Sequence, residues 1–196
     1  MTGTTIPTLD DVTSPYDGVN HPLAQYMQLV FEPSSTIEDN LPALHAALTA
    51  NPPKSHADVI DAFAAIVKTS PWRARTPLLT AHPAIGQKKK LSALSATEQR
   101  SSETVDPSVQ EELIILNRAY ETKYPGLRYV TWVNGRTKAQ IAEEMKRMLE
   151  VHTVESIDPS VIVPYVPGSS EWIEELDRGA EATMNIAKDR TNKLLL

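Results

Sequence analysis

The sequence predicts an all-α protein, a single-domain multi-helix bundle with little or no β-structure. Three observations carry that expectation. Apolar residues recur at three- and four-residue spacing along most of the 196-residue chain. Helix-start signals, such as Ser55 with Asp58 and the pair Asp106-Pro107, stand in front of those runs. One stretch, LRYVTWV at 127–133, alternates like a strand, but no convincing second strand exists to pair with it.

Residues 1–20 are rich in Thr, Pro, Asp and Gly and read as a flexible N-terminal arm. From Asn20 the pattern turns helical. Pro22 is tolerated in a first turn, and Leu23, Tyr26, Met27, Val30 and Phe31 share a face. A shorter helix is expected at 41–50, stopped by Asn51-Pro52-Pro53. Ser55 then caps a helix with the stripe Val59, Ile60, Phe63, Ile66 and Val67. Residues 71–81 are helical in pattern, with Pro77 expected to break or kink the run. It ends at TAHPAIG, because Pro83 disfavours helical geometry at His82 and Gly86 permits a turn.

Asp106-Pro107 opens a helix running to about Tyr124, with Val109, Leu113, Leu116 and Tyr120 inward. The stretch 127–133 reads as an extended connector and Asn134-Gly135 as a turn. Thr137 caps the next helix, marked by Ile141, Met145, Met148 and Leu149. Residues 153–168 hold three prolines and read as a long ordered loop. A last helix starts at Ser169 or Ser170 and reaches Lys193. Residues 21–196 are thus expected to form the helical domain.

Composition excludes several function classes. The chain has no cysteine, so disulfides, thiolate nucleophiles and cysteine-ligated metals are absent together. A net charge of −6 argues against nucleic acid, and the one basic run, QKKK at 87–90, reads as a solvated loop. No apolar run approaches the roughly 20 residues that cross a bilayer. No signal peptide is visible, and the C-terminal KLLL is not an SKL-type peroxisomal address, so the cytoplasm is the expected compartment. The five histidines, at 21, 45, 56, 82 and 152, lack metal-site spacing, and no metal is expected. No phosphate loop, nucleophile elbow or dinucleotide fingerprint occurs.

Polar residues at helix edges remain as candidates: His82, the stretch LSATEQ at 94–99, and Arg190. Each has a structural alternative. A histidine at a helix C-terminus favours the macrodipole, Ser95-x-x-Glu98 has capping-box spacing, and an arginine can snorkel to solvent.

The ordered strings HPAIG, LSATEQ, EELIILNRAYETKY and YVTWVNGRTKAQI change the weighing. In order and spacing this sequence resembles the 2-oxo-4-hydroxy-4-carboxy-5-ureidoimidazoline (OHCU) decarboxylases. The match spans about residues 22–194 and includes His82-Pro83, Gly86, Ser95, Glu98-Gln99, Leu116-Asn117, Tyr120, Lys123, Gly135-Arg136 and Lys138, with Phe31-Glu32 upstream. Three features depart from the family: KYPGL at 123–127 replaces KFGF, the loop at 153–168 is longer, and Ala84 stands where an acidic residue is common.

The resemblance implies decarboxylation to (S)-allantoin at the end of urate oxidation, with a small-molecule ureidoimidazoline as substrate. It implies His82 as general acid/base, with Glu98 orienting it or bonding the ureido group and Arg190 fixing a carboxylate or carbonyl. Pro83, Ser95, Gln99 and the backbone at Val130, Thr131 and Trp132 would complete the substrate site. No cofactor is expected, because an imine beside the reacting carbon is itself an electron sink. A homodimer is carried over from the family, with no nucleic-acid or membrane partner. Two rivals stand beside this reading: an inactive helical interaction module of the same fold, and a lyase or hydrolase for a related ureide.

Overall fold

A computed structural model describes residues 6–18, 20–86, 106–158 and 160–196. Among the described residues the regular structure is helical and no strand occurs. The chain divides into two compact units, residues 1–81 with 180–196, and residues 82–179.

The first unit begins with α1 (Leu9–Val12), a single turn closed by a capping box between Thr8 and Asp11. Residues 6–18 hold more structure than their composition suggests, because three histidine rings bind them. The Nε2 atoms of His21 and His45 donate to the Ser14 carbonyl at 3.0 and 2.7 Å, and Nε2 of His56 to that of Pro7 at 2.8 Å. Three of the five histidines are thus satisfied on backbone. His21 also caps α2 (Pro22–Val30), its Nδ1 accepting from the Leu23 N–H.

Helix α3 (Ser35–Ala50) starts six residues before the expected 41, with Pro42 inside it. Tertiary bonding explains the extension: Thr36 is buried and its hydroxyl donates to the Ala74 carbonyl at 2.7 Å. Helix α4 (His56–Thr69) starts on the Ser55/Asp58 capping box. Bonds from the backbone N–H groups of Lys54 and Ser55 hold the Asp58 carboxyl below its ordinary range. Helix α5 (Trp72–Thr80) runs through Pro77 without a break, and α3 packs on both α4 and α5.

The second unit contains α6 (Pro107–Lys123), started by the Asp106 side chain accepting from the Ser108 N–H, and α7 (Lys138–Leu149), started by a Thr137/Gln140 capping box. These two helices pack together. Between them 127–133 has neither helix nor strand, and Asn134 and Gly135 turn the chain with φ of 45° and 74°. After a 3₁₀ turn at Val154–Ser156 the loop reaches α8 (Ser170–Leu194). The indole of Trp172, buried at the start of α8, donates to the Pro125 carbonyl at 3.0 Å. This bond anchors the altered KYPGL loop, whose Tyr124 and Leu127 are also buried.

Candidate active site

His82 lies two residues past α5, on a loop without regular structure, and is 6% exposed. The loop cannot bond to itself as a helix does, so its carbonyls need other donors. Three side chains supply them. Arg128 Nη1 donates to the His82 carbonyl at 2.9 Å. Asn117 Nδ2 donates to the Ile85 carbonyl at 3.1 Å and to the Leu113 carbonyl at 2.6 Å. Gln110 Nε2 donates to the Gly86 carbonyl. Gly86 has φ +82°, and a Cβ there would sit 2.9 Å from Gln110 Nε2 and 3.1 Å from Leu113 Cδ1. The backbone turn favours glycine at this point, and a side chain here would also make the Gln110 amide shift.

The connector at 127–133 is held by a second polar network. Arg178 on α8 donates to the Val130 carbonyl at 3.0 Å and makes two bonds to Glu175, at 2.7 and 2.8 Å. Tyr120 donates to Glu175 Oε1 at 2.5 Å, and Tyr129 to Glu144 Oε1 at 2.6 Å. Arg136 pairs with Glu144, donates to the Thr131 hydroxyl at 2.9 Å, and donates to the carbonyls of Val133 and Trp132. Arg136 is therefore a staple for backbone. Burial, then the charge of Glu175, pushes the Tyr120 hydroxyl up; burial, then the bond to Glu144, does the same to Tyr129. Burial acts downward on the Arg178 guanidinium, but its bonds to Glu175, the charge of Glu175 and the nearby Tyr120 and Tyr129 hydroxyls together hold it above its ordinary value.

Arg190 belongs to the first unit. It is 2% exposed and does not snorkel. Its Nη2 donates to Glu32 Oε1 at 3.1 Å and its Nη1 to the Val30 carbonyl at 3.2 Å. A buried guanidinium paired with a buried carboxylate offers directed donors more than net charge.

Of the predicted site residues, His82 and Pro83 open the braced loop, and Val130, Thr131 and Trp132 lie on the braced connector, all in the second unit. Ser95, Glu98 and Gln99, with the QKKK run, lie outside the described residues. Sequence reasoning missed Gln110, Arg128, Glu175 and Arg178. Gln110 carried a usable signal, an amide on the apolar stripe of α6, three residues before Leu113. Two described cavities, of about 400 Å³ beside Lys123 and Tyr165 and about 640 Å³ beside Asn51 and Ile66, are not lined by any predicted site residue. Among the described residues no three His, Asp or Glu side chains gather as metal ligands, and no helix is long and apolar enough to cross a membrane.

The family model described as OHCU decarboxylase matches residues 23–157. A curated relative, the uric acid degradation bifunctional protein PucL of Bacillus subtilis (strain 168), is 29% identical over 123 residues. That alignment covers 62% of this chain and 24% of the relative, so the chain spans about a quarter of the length of PucL.

Proposed function

Because the chain belongs to the OHCU decarboxylase family, we propose that it converts OHCU to (S)-allantoin and carbon dioxide without a cofactor. The observation that carries the proposal is the HPAIG loop: a family motif whose histidine is buried and whose backbone is held at three carbonyls by side chains. Such bracing of an irregular loop is what a proton-transferring group requires.

In the proposed reaction the bond from the ring carbon to its carboxylate breaks. Carbon dioxide leaves, the electron pair passes through the adjacent imine, and the imine nitrogen takes up a proton. The hydroxyl on the same carbon gives up its proton and becomes the carbonyl of allantoin. The neighbouring ring carbon, which bears the ureido group, takes a proton on one face. His82 serves as general acid/base at the hydroxyl- and carboxylate-bearing carbon, the imidazole being able both to accept and to donate a proton. On the family pattern Glu98 orients His82 or bonds the ureido group, and Ser95 and Gln99 bond the ring. Pro83 shapes the loop, backbone groups at Val130, Thr131 and Trp132 read the ring edge, and Arg190 directs its donors at a substrate oxygen. A homodimer belongs to the same proposal, as does a helical domain over 21–196.

The test is stereochemical. OHCU is generated in situ from urate by an oxidase and the hydrolase that follows it, and circular dichroism is recorded with wild type or His82→Ala added. Rapid appearance of the (S) signal with wild type, lost in the variant, supports both the activity and the role of His82. Racemic product with both removes the enzyme reading.

A further inference from the structure

We infer that Gln110 and Asn117 are positioning residues for His82, acting together as a two-point clamp on the carbonyls of Gly86 and Ile85. The inference rests on the decarboxylase reading, which makes His82 the acid/base. It deepens that reading by naming what holds the imidazole in place.

Both amides are buried, at 9% and 8% exposure, on the face of α6 that also carries Leu113. Burying an amide costs free energy unless its hydrogen bonds are made, and an apolar side chain would otherwise serve a helix face. These two amides spend their donors on a loop. Asn117 Nδ2 uses one proton on Ile85 and one on its own helix at Leu113, which fixes the amide plane before it meets the loop. A Cβ at Gly86 would sit 2.9 Å from Gln110 Nε2, so the amide would have to move off its present position. Arg128 closes the other end of the loop at His82 itself. The loop is therefore registered on a rigid helix at two adjacent residues, with His82 three residues upstream of the first.

Asn117→Asp and Gln110→Glu keep size and shape but put oxygen where the donor stood. Asp106→Ala serves as the comparison, since it removes the cap of the same helix and leaves both amides in place. Each protein is assayed for kcat, KM and enantiomeric excess on OHCU generated in situ. Each is also read by the His82 imidazole resonance in proton–carbon NMR, assigned with His82→Ala, and by hydrogen exchange at residues 82–86.

Asn117→Asp is expected to lower kcat by about a hundredfold with KM little changed. Enantiomeric excess should fall, the His82 signal should shift or broaden, and exchange at Ile85 and Gly86 should quicken. Asp106→Ala should lower the melting temperature and leave those quantities alone. The clamp is overturned if the amide variants keep the wild-type His82 resonance and exchange rates, or if Asp106→Ala alters both equally. Should Asn117→Asp fail to fold, Gln110→Met removes the donor at similar volume and is read the same way. If wild type gives racemic product, the decarboxylase reading fails, while resonance and exchange still decide the clamp.

Discussion

The two units bury polarity in different ways. Among the described residues of the first, the buried charges are the pair Arg190–Glu32 and Arg75, in helices with regular apolar stripes. In the second, a half-buried network runs through Tyr120, Glu175, Arg178, Tyr129, Glu144 and Arg136, with Glu175 its buried charge, and its two arginines end on carbonyls of a segment that has no ladder or helix of its own. A concentrated pair leaves one partner badly exposed to the loss of the other. A spread network shares such a loss.

The largest expected effect breaks the concentrated pair. Glu32→Ala removes the buried carboxylate that bonds the Arg190 guanidinium and should destabilise by about 3–5 kcal/mol, whereas Glu32→Leu with Arg190→Met should recover most of that. Urea denaturation of the three proteins checks this, and a double variant as unstable as the single would contradict it.

Alkaline pH comes next and touches both units. Burial pushes Tyr26 up to about 12, against an opposing hydrogen bond from Thr191, and pushes Tyr124 up to about 12, helped by the charge of Glu175; Tyr120 and Tyr129 are raised as well. A folded-state pKa above the unfolded value of about 10 gives stability that is complete below pH 10 and lost as pH rises through 12. For Tyr26 alone the loss is about 3 kcal/mol. Melting curves from pH 8 to 12 on Tyr26→Phe and Tyr129→Phe would show which unit is the more alkali-sensitive.

Within the second unit, Tyr120→Phe removes one bond to a charged acceptor and should cost about 1.5–3 kcal/mol, less than Glu32→Ala in the first. A loss equal to that of Glu32→Ala would mean that the network behaves as a single pair. The smallest contrast compares two glycines with nearly the same backbone angle. Gly126→Ala, with φ +83° and open space around the new Cβ, should cost about 1–2 kcal/mol for the left-handed backbone alone. Gly86→Ala adds the collision with Gln110 and should cost measurably more. Equal melting temperatures would deny that α6 presses on the loop.

The same contrast explains what could be read in the sequence. Ser55 with Asp58, Thr137 with Gln140 and Asp106 with Pro107 act over three residues or fewer, so local pattern finds them, and every described helix except α1 was expected. Position 41 failed as a start because Thr36 is held by a carbonyl 38 residues away. The same reason hides the bracing of the site. Gln110 reaches back 24 residues, Asn117 32, Arg128 46, and Arg178 48. No periodicity encodes such reach. The family pattern shows His82 and Asn117 as residues to notice, but only the fold says that one holds the loop of the other.

One bond described above also gives the protein an optical handle. The indole of Trp172 is 1% exposed and hydrogen-bonded to the Pro125 carbonyl, while Trp72 and Trp132 are partly open to solvent. Trp172 is therefore the indole shielded from water, and its emission should redden most when its residues come apart. With Trp72→Phe and Trp132→Phe in place, the emission of that single ring would follow the KYPGL loop through any titration, in a segment that no catalytic assay observes directly.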